Sequence, residues 1–548
     1  SLVALSTVVV TAAAGGRRLG GTPSMATSSA SASGPISFVM LSRVFVPYGM
    51  GDGYAFGMGA AEQIAYDHIN KFAYAVSEQG YVNIIDYSDP ATPVVMSSLA
   101  VDLAGQKLTD IEVCPDNKFF VVGASASDTV SDGTVMMFRT VQRSDSPNFA
   151  TPALLRSIGV GPLPDMVLPN PDCSMIAVGN EGEGRVINDV LVDPEGSLDI
   201  LKMTYANDDI TTISSVERKR ALIDLTDAQL KAKGVHLPLE QKAMEYWQVA
   251  AGMNFTHAIN NYKASMNLEP EYLAWSKDGR KVYVNLQENN AIGIFAVASD
   301  GTPTFSDVYG LGLKDHTTVG IDIIKDGAIN ITTYAGLKSL RMPDAIAVVE
   351  LDGQMYILTA NEGDDKEYGD FEEKQKLKSV LRASNSVQLN TATASAAAQA
   401  VADMVYPLED SLRVTVGSTA VDYTNPATPV INEIVAMGGR GMSIYKDVGG
   451  ALELHWDSGS DFETKVAEHY PWSFNSIQDE EFAPVGGVLY TSNTGLQETI
   501  DDMNDPDADG CADGGDGNPG ACPLSRTVDD RSPKDGAGTE ALVVGEAC

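Results

Sequence analysis

Acidic side chains recur at one position of a repeated sequence pattern. In each copy an acid precedes an alternating apolar stretch, a polar turn and a second stretch rich in Val, Ile and Tyr, as in residues 164–184. The acids that open these copies are Glu62, Asp110, Asp165, Glu271 and Asp344. A second acid follows 16 to 18 residues later, at Glu78, Glu181, Glu288 and Glu362. Since two antiparallel strands return the chain to its starting end, we expect the two sets of acids to meet.

Carboxylates at this density cannot all remain ionised without compensation. Oxygen ligands of this kind favour Ca²⁺, with Mg²⁺ or another divalent ion as the alternative. The pattern therefore predicts a metal site, although any one acid alone also suits the capping of a strand end. The predicted ligands are Glu62, Asp165, Glu181, Glu271, Glu288, Asp344 and Glu362, with Asp364 from an Asn-Glu-Gly-acid motif and Glu540 from the last copy.

A separate acidic loop spans residues 501–522. Asp505, Asp507 and Asp509 are followed by Gly510, and Asp516 occupies the twelfth place, which is the spacing of an EF-hand calcium loop without evident flanking helices. We expect a structural calcium loop, which a Cys511–Cys522 bridge would close. A solvated acidic loop is the alternative.

The remaining chemistry-bearing residues are few. His316 follows Lys314 in a cationic phrase that suits an anionic substrate, although a lone histidine is more often structural. No His-Glu-x-x-His, Gly-x-Ser-x-Gly or P-loop motif is present, which disfavours zinc proteases, α/β-type serine hydrolases and P-loop enzymes.

The repeats indicate the fold that positions these acids. Alternating hydrophobicity with turn sequences between two strands is typical of β-hairpins, and repeated antiparallel units predict an all-β, seven-bladed β-propeller. Gly439–Ile444 is predicted to open the sixth unit and 539–544 an incomplete seventh. The propeller is assigned to residues 36–548, with partly helical insertions near 205–262 and 363–412.

The amino-acid composition limits the kinds of molecule that the chain can bind. The 548 residues carry 37 Lys and Arg against 74 Asp and Glu, a net charge of −37. Such a chain would repel nucleic acid and anionic membranes. Residues 1–35 read as the remnant of a secretory signal followed by a Ser/Ala/Gly linker, and two Asn-x-Thr sequons begin at Asn254 and Asn330. We therefore expect a secreted or cell-surface protein with no transmembrane segment.

Several long phrases resemble one known family. They include residues 268–295 (LEPEYLAWSKDGRKVYVNLQENNAIGIF), 455–463 (HWDSGSDFE) and 529–546 (DDRSPKDGAGTEALVVGE). Over Glu62 to Glu546 the chain resembles the choice-of-anchor I family of secreted or surface-anchored β-propellers. Relatives read Gly-Pro-Glu-Pro-Glu where this chain has Gly538-Thr539-Glu540, so one acid is absent.

The family is also similar to the atypical alkaline phosphatases of algae and cyanobacteria. That resemblance implies a secreted, calcium-dependent phosphomonoesterase acting on a small phosphate ester, with Arg440 or Arg531 clamping the phosphate. The alternative is a non-catalytic surface propeller in which calcium is structural. A propeller lactonase is a third reading.

Overall fold

Five antiparallel sheets follow one another along the chain. The computed structural model describes residues 5–10, 38–47, 53–55, 59–77, 79–103, 105–116, 118–207, 212–381, 388–389, 395–405, 407–408, 412–476, 489–490 and 528–544. Sheet 1 contains Ile64–Asp67, Phe72–Ser77, Tyr81–Asp86, Val94–Val95 and Val101–Asp102. Sheet 2 contains Lys107–Val113, Phe119–Ser125, Asp132–Arg139 and Leu154–Pro162, and sheet 3 contains Pro164–Pro169, Met175–Asn180, Ser197–Tyr205 and Ile213–Ala221. Sheet 4 contains Pro270–Trp275, Lys281–Leu286, Ala291–Val297 and Pro303–Gly310, and sheet 5 contains Pro343–Leu351, Gln354–Asn361, Gly441–Asp447 and Leu452–Asp457.

The sheets pack face to face through their apolar side chains. Every residue of the second strands Phe72–Ser77 and Met175–Asn180 is buried, as expected for strands covered on both faces. One apolar cluster lies between each pair of successive sheets, from sheets 1 and 2 through to sheets 4 and 5. The first strand of each sheet lies beside the first strand of the next. This arrangement is propeller-like.

The predicted blade count is not confirmed, and within the described residues no closed ring of sheets is seen. Gly441–Asp447, predicted to open a sixth unit, instead pairs with Gln354–Asn361 as the third strand of sheet 5. Alternating hydrophobicity cannot distinguish a first strand from a third, because the side-chain period is the same. Residues 539–544 form no strand.

Helices occupy the predicted insertions. They are Asp227–Ala232, Gln241–Ala250, Thr256–Asn260, Leu377–Val380 and Ala396–Val405, and a sixth helix, Asp461–His469, follows sheet 5. The Thr226 hydroxyl caps the first of them by accepting from Gln229 N at 3.3 Å. Residues 213–221, predicted to be helical, form the outer strand of sheet 3 instead, paired with Ser197–Tyr205.

The insertions share one core of their own. Tyr246 and Trp247 pack with Phe371 and with the helix Ala396–Val405. Shorter strands complete the description: Leu5–Val10 with Phe38–Val44, Tyr54–Ala55 with Leu489–Tyr490, Arg185–Ile187 with Val190–Val192, Leu313–Asp315 with Leu337–Leu340 and Ile434–Ala436, Glu367–Tyr368 with Phe371–Glu372, Lys374–Lys376 with Arg413–Thr415, and Gln388–Leu389 with Val421–Asp422 and Val430–Ile431.

A disulfide joins sheets 2 and 3. Cys114 follows the first strand of sheet 2, Cys173 lies in the first hairpin turn of sheet 3, and both are fully buried. The bridge, which the sequence did not reveal, closes a loop across a sequence separation of 59. Disulfides persist mainly in oxidising compartments, so this one favours an extracellular location.

We expect the double variant Cys114→Ser/Cys173→Ser to lose roughly 2–5 kcal/mol of unfolding free energy, because opening the bridge frees the unfolded chain. Urea titration measures the change. In a reductant that opens the wild-type bridge, the two proteins should unfold together. Equal midpoints without reductant would mean that the bridge does not stabilise the fold.

Candidate metal centre

The first set of acids lies where the first strand of a sheet departs from regular pairing. In sheet 3 the register shifts between Pro164 and Met166, which leaves Asp165 unpaired. The same irregularity surrounds Glu271 in sheet 4 and Asp344 in sheet 5. A β-bulge re-aims the side chain that it contains. The repeated bulge therefore presents one acid per sheet at the same level.

The second set of acids follows the second strand of the same sheets. The amide of Glu181 donates to Leu163 O at 2.8 Å, and the amide of Glu362 donates to Met342 O at 3.0 Å. These bonds tie Glu181 and Glu362 to the residue just before the first strand of their sheets. As a result the chain returns to the end of the sheet that carries Asp165 or Asp344.

The carboxylates of three sheets influence one another. Burial is the largest cause of the high pKa of Glu271, and Glu288, Glu181 and Asp165 raise it further. Burial likewise raises the pKa of Asp344, with added repulsion from Glu362. We call the following set the carboxylate ring: Asp110, Asp165, Glu181, Glu271, Glu288, Asp344, Glu362, Asp364 and Glu540.

Several ring members carry a proton at mildly acidic pH. Burial raises the pKa of Asp110 to about 7 and that of Asp165 to about 6. It also raises the pKa of Glu362 to about 7, assisted by the charges of Asp364 and Glu540. Glu540 reaches the ring from the C-terminal segment 528–544.

Resident cations compensate only part of this charge. Lys366 is buried and its Nζ lies 2.6 Å from Glu269 Oε1, and this ammonium also lowers the pKa of Glu288 against the effect of burial. Lys374 Nζ lies 2.7 Å from Asp365 Oδ1, outside the ring. Lys107 also acts on Asp165, and Lys374 also acts on Asp364. The nine carboxyl groups still outnumber these ammonium groups, and an added cation would relieve the excess of negative charge.

Two buried oxygens in the ring region suit a cation. Within the described residues, Glu288 Oε2 and Asn285 Oδ1 have no hydrogen-bond partner. The amide nitrogen of Asn285 donates to Pro343 O at 2.7 Å, which fixes the side chain. An unpartnered buried acceptor is costly in a protein interior. Both atoms are hard oxygen donors of the kind that Ca²⁺ prefers.

The ring oxygens are spread rather than clustered. In the part of the chain that the structure describes, the one group with three possible ligand atoms within 4.8 Å of one another is Cys114, Asp116 and Cys173. Its two sulfurs form the disulfide. Carboxylates of like charge hold apart, so binding an ion at the ring would require their side chains to move inward.

An arginine lies at the edge of the ring. A Cβ placed on Gly538 would be 3.5 Å from Arg531 Nη2 and 3.6 Å from Glu362 Oε1, so the two side chains flank one backbone position. Arg531 Nη2 also lies 3.1 Å from Asp535 Oδ2. Arg531 Nε is buried and has no acceptor among the described residues. Arg531 thus carries one N–H without an acceptor, while its Nη2 lies on the side of Glu362.

Arg440 has a different role from the predicted phosphate clamp. Its Nη1 donates to Asp322 O at 2.7 Å and to Glu463 Oε1 at 2.6 Å. Its Nη2 donates to Ser532 O at 2.7 Å and to Lys534 O at 3.0 Å. With its terminal N–H groups used and its side chain buried, Arg440 ties the C-terminal segment to the body of the protein.

Both ring nitrogens of His316 contact other groups of the protein, so its role is also structural. Its ring nitrogens lie 3.1 Å from Val319 O and 3.1 Å from Ser339 Oγ. Burial, with Arg440 and Lys314 nearby, lowers the pKa of this imidazole to about 4. The side chain is therefore neutral at physiological pH, and a neutral buried imidazole does not attract a phosphate.

Glu62 and the acidic loop 501–522 were also predicted to bind a cation. Glu62 is half-buried, and its amide donates to Val76 O at 3.0 Å next to the first strand of sheet 1. Its neighbour Gln63 donates a hydrogen bond to the Tyr272 hydroxyl in sheet 4. Glu78 and the acids Asp505, Asp507, Asp509 and Asp516 lie outside the described residues, as does the Cys511–Cys522 pair.

Sequence reasoning missed the members that do not repeat. Glu269, Lys366 and Asp193 form a buried group beside the ring, in which the ammonium offsets both carboxyl groups. Lys366 lies five residues after Asn361 in the insertion, so its spacing carried no signal. An acid two residues before Glu271 in Leu-Glu-Pro-Glu was the visible hint of Glu269.

Comparison with known proteins identifies a family. The model of the choice-of-anchor I domain matches residues 62–501. A mesenchyme-specific cell surface glycoprotein of Strongylocentrotus purpuratus is 33% identical over 186 residues, which cover 31% of this chain and 23% of that protein. The match thus spans less than a quarter of that relative's length.

Solved structures offer only distant likenesses. A protein from Lactobacillus plantarum has a TM-score of 0.33 and 12% identity, over 55% of this chain and 64% of that one. A putative 6-phosphogluconolactonase from Bacteroides uniformis has a TM-score of 0.28 and 10% identity, over 45% and 55%. Likenesses this low carry no information on function, and none of these matches bears on phosphatase activity.

Proposed function

Because the chain belongs to the choice-of-anchor I domain family and carries a carboxylate ring, we propose that it is an extracellular phosphomonoesterase that requires divalent cations of the calcium type. One observation carries the proposal. Unpartnered buried oxygens of Glu288 and Asn285 lie in the ring region, and Arg531, whose Nε has no acceptor among the described residues, has its Nη2 close to the backbone position that Glu362 also flanks. Together they offer acceptors for a cation and a donor for an anion, the two halves of a metal-bound phosphate.

Each residue has a stated part in this reaction. The ring carboxylates, with Glu271, Glu288 and Glu362 foremost, would hold the cations. Bound cations polarise phosphoryl oxygens and lower the pKa of a water. Arg531 would donate to a phosphate oxygen and orient the ester.

The second candidate is a non-catalytic surface protein that cations stabilise. The relative's name, a cell surface glycoprotein, favours it, as does the buried disulfide. The sequon residues Asn254 and Asn330 are both exposed and so accessible to glycans. Within the described residues no helix has the length and apolar character needed to cross a bilayer. The two candidates differ in whether cation binding is accompanied by hydrolysis.

We expect Glu288→Gln to lower both calcium affinity and hydrolysis of p-nitrophenyl phosphate by at least the roughly 10- to 100-fold that is lost when only a hydrogen-bond partner of a metal ligand is removed. The reason is the loss of one ligand charge from the ring. Calcium titration and steady-state hydrolysis measure the two effects on the same protein.

Glu453→Gln is the matched control, because Glu453 is exposed on the outer strand of sheet 5. It should change neither quantity. If the wild-type, calcium-loaded chain hydrolyses no phosphate ester, the enzymatic proposal is wrong. If Glu288→Gln lowers calcium affinity in such an inactive chain, the surface-protein candidate stands.

A further inference from the structure

A buried histidine joins a threonine to a glutamate between the two insertions. His236 Nδ1 lies 2.6 Å from Thr419 Oγ1, and His236 Nε2 lies 2.7 Å from Glu373 Oε1. His236 and Glu373 are fully buried, and Thr419 is half-buried. A hydroxyl, an imidazole and a carboxylate in this order form the arrangement that activates a nucleophile. None of the three belongs to the carboxylate ring.

The backbone fixes the tautomer of His236. The amide of Thr419 donates to His236 Nδ1 at 3.3 Å, so Nδ1 carries a lone pair rather than a hydrogen. The ring hydrogen is therefore on Nε2, which donates it to Glu373 Oε1. The Thr419 hydroxyl lies 2.6 Å from the same nitrogen as the amide, Nδ1, so the hydroxyl and the amide of Thr419 share the Nδ1 lone pair as their acceptor, and the hydroxyl is the closer of the two. This is the protonation state that a general base needs.

Hydrogen bonds hold the histidine and the threonine in register. Leu237 N donates to Ser418 Oγ at 2.8 Å, and Ser418 N donates to Leu237 O at 2.9 Å. These are the residues adjacent to His236 and Thr419. On the other side, His236 N donates to Asn289 O at 2.9 Å and Asn289 Nδ2 donates back to His236 O at 3.1 Å.

The local backbone admits the imidazole only because residue 417 is glycine. A Cβ at Gly417 would lie 2.5 Å from His236 Cε1. Glu373 is fixed as well, since its Oε1 also accepts the hydroxyl of Thr415. All three groups are thus preorganised by contacts that do not involve substrate.

We propose that Thr419 is an activated nucleophile that accepts acyl groups from small carboxylic esters, with His236 as its general base and Glu373 as a positioning residue. Thr419 Oγ1 forms a bond to the ester carbonyl carbon while its proton passes to His236 Nδ1. The bond from that carbon to the alcohol oxygen breaks, and the alcohol leaves with the proton. Water then hydrolyses the acyl-threonine by the same transfers, releasing the carboxylic acid.

The hydrogen bonds of the surrounding backbone amides limit the rate of this reaction. The N–H groups of residues 417–421 all have acceptors within the protein: Thr415 Oγ1, Leu237 O, His236 Nδ1 and, for the last two, Gly417 O. None of these five is available for an oxyanion, a contribution usually worth about 10²–10³-fold. We therefore expect covalent labelling of Thr419 rather than rapid turnover.

A fluorophosphonate probe tests the proposal on the full chain. Thr419 Oγ1 should displace fluoride from phosphorus, and mass spectrometry should place the adduct on this residue. Thr419→Val should abolish the adduct, Thr419→Ser should retain it, and Glu373→Gln should slow labelling by about a hundredfold or more. Thr424→Val is the matched control, because Thr424 is an exposed threonine of the same segment, and it should leave the adduct at Thr419.

Three outcomes would overturn the proposal: no adduct at Thr419 in the folded wild-type chain, equal labelling rates for wild type and Glu373→Gln, or equal labelling of folded and urea-unfolded protein. A drop in melting temperature of Thr419→Val without any wild-type adduct would assign the group a structural role alone. Labelling should be the same with calcium and with chelator, so failure of the metal proposal leaves this result unaffected.

Discussion

With divalent cations removed by a chelator, the protein loses stability as the pH rises from about 5 to about 8. Seven of the ring carboxyls have raised pKa values in the folded state, so the folded chain binds more protons than the unfolded chain between the ordinary carboxyl pKa and about 7. Stability is therefore fully present below the unfolded pKa and falls as the pH passes through the folded pKa. For Glu362 alone the loss is on the order of 3 kcal/mol.

Calcium reverses the trend, because a bound cation favours the ionised carboxylates. Thermal unfolding at several pH values, with and without calcium, measures the difference. The melting temperature should gain most from calcium near pH 8 and least near pH 5, since protons compete with the cation for the same oxygens. A chelated protein that becomes more stable as the pH rises would show that the ring is not protonated in the folded state.

Replacement of Arg440 by methionine should cost about 3–5 kcal/mol of unfolding free energy. The guanidinium is buried against Glu463 at 2.6 Å and also binds three backbone carbonyls. Methionine keeps much of the volume but leaves the Glu463 carboxylate buried beside unpartnered carbonyls. Urea titration of the variant should show the full loss without any added ligand.

The helix Asp461–His469 supplies its own control. Lys465 pairs with Glu468 at 2.7 Å on the exposed side of the same helix. Exposed pairs contribute little, so Lys465→Met should leave the unfolding midpoint unchanged. If Arg440→Met were equally silent, and instead weakened phosphate binding, the clamp role predicted from the sequence would be restored and the structural role rejected.

The sequence repeat predicted the positions of the acids along the chain, but not the orientation of their side chains. Asp165, Glu271 and Asp344 could be aligned by their spacing, since each opens a strand after a proline. Their orientation depends on a bulge at the start of each first strand, where too few residues precede the bulge for the shift in alternation to be detected. The spacing therefore predicted the positions of these acids along the chain, but not the bulges that orient their side chains.

Residues outside the repeat were harder to assign. Arg440 occupies the position of an acid in an apparent sixth unit, yet Gly441–Asp447 returns to sheet 5 after a long excursion. Sequence spacing does not record which sheet a strand rejoins. His236, Glu373 and Thr419 lie far apart along the chain, so only the folding of the two insertions against each other brings them together.

Calcium binding by the purified chain is the most direct measurement. Equilibrium dialysis at about pH 8, where protons no longer compete for the ring oxygens, should find calcium bound to the wild type and to Glu453→Gln, and weaker binding to Glu288→Gln. Binding that is absent from the wild-type chain, or identical in Glu288→Gln, would contradict a cation site at the carboxylate ring.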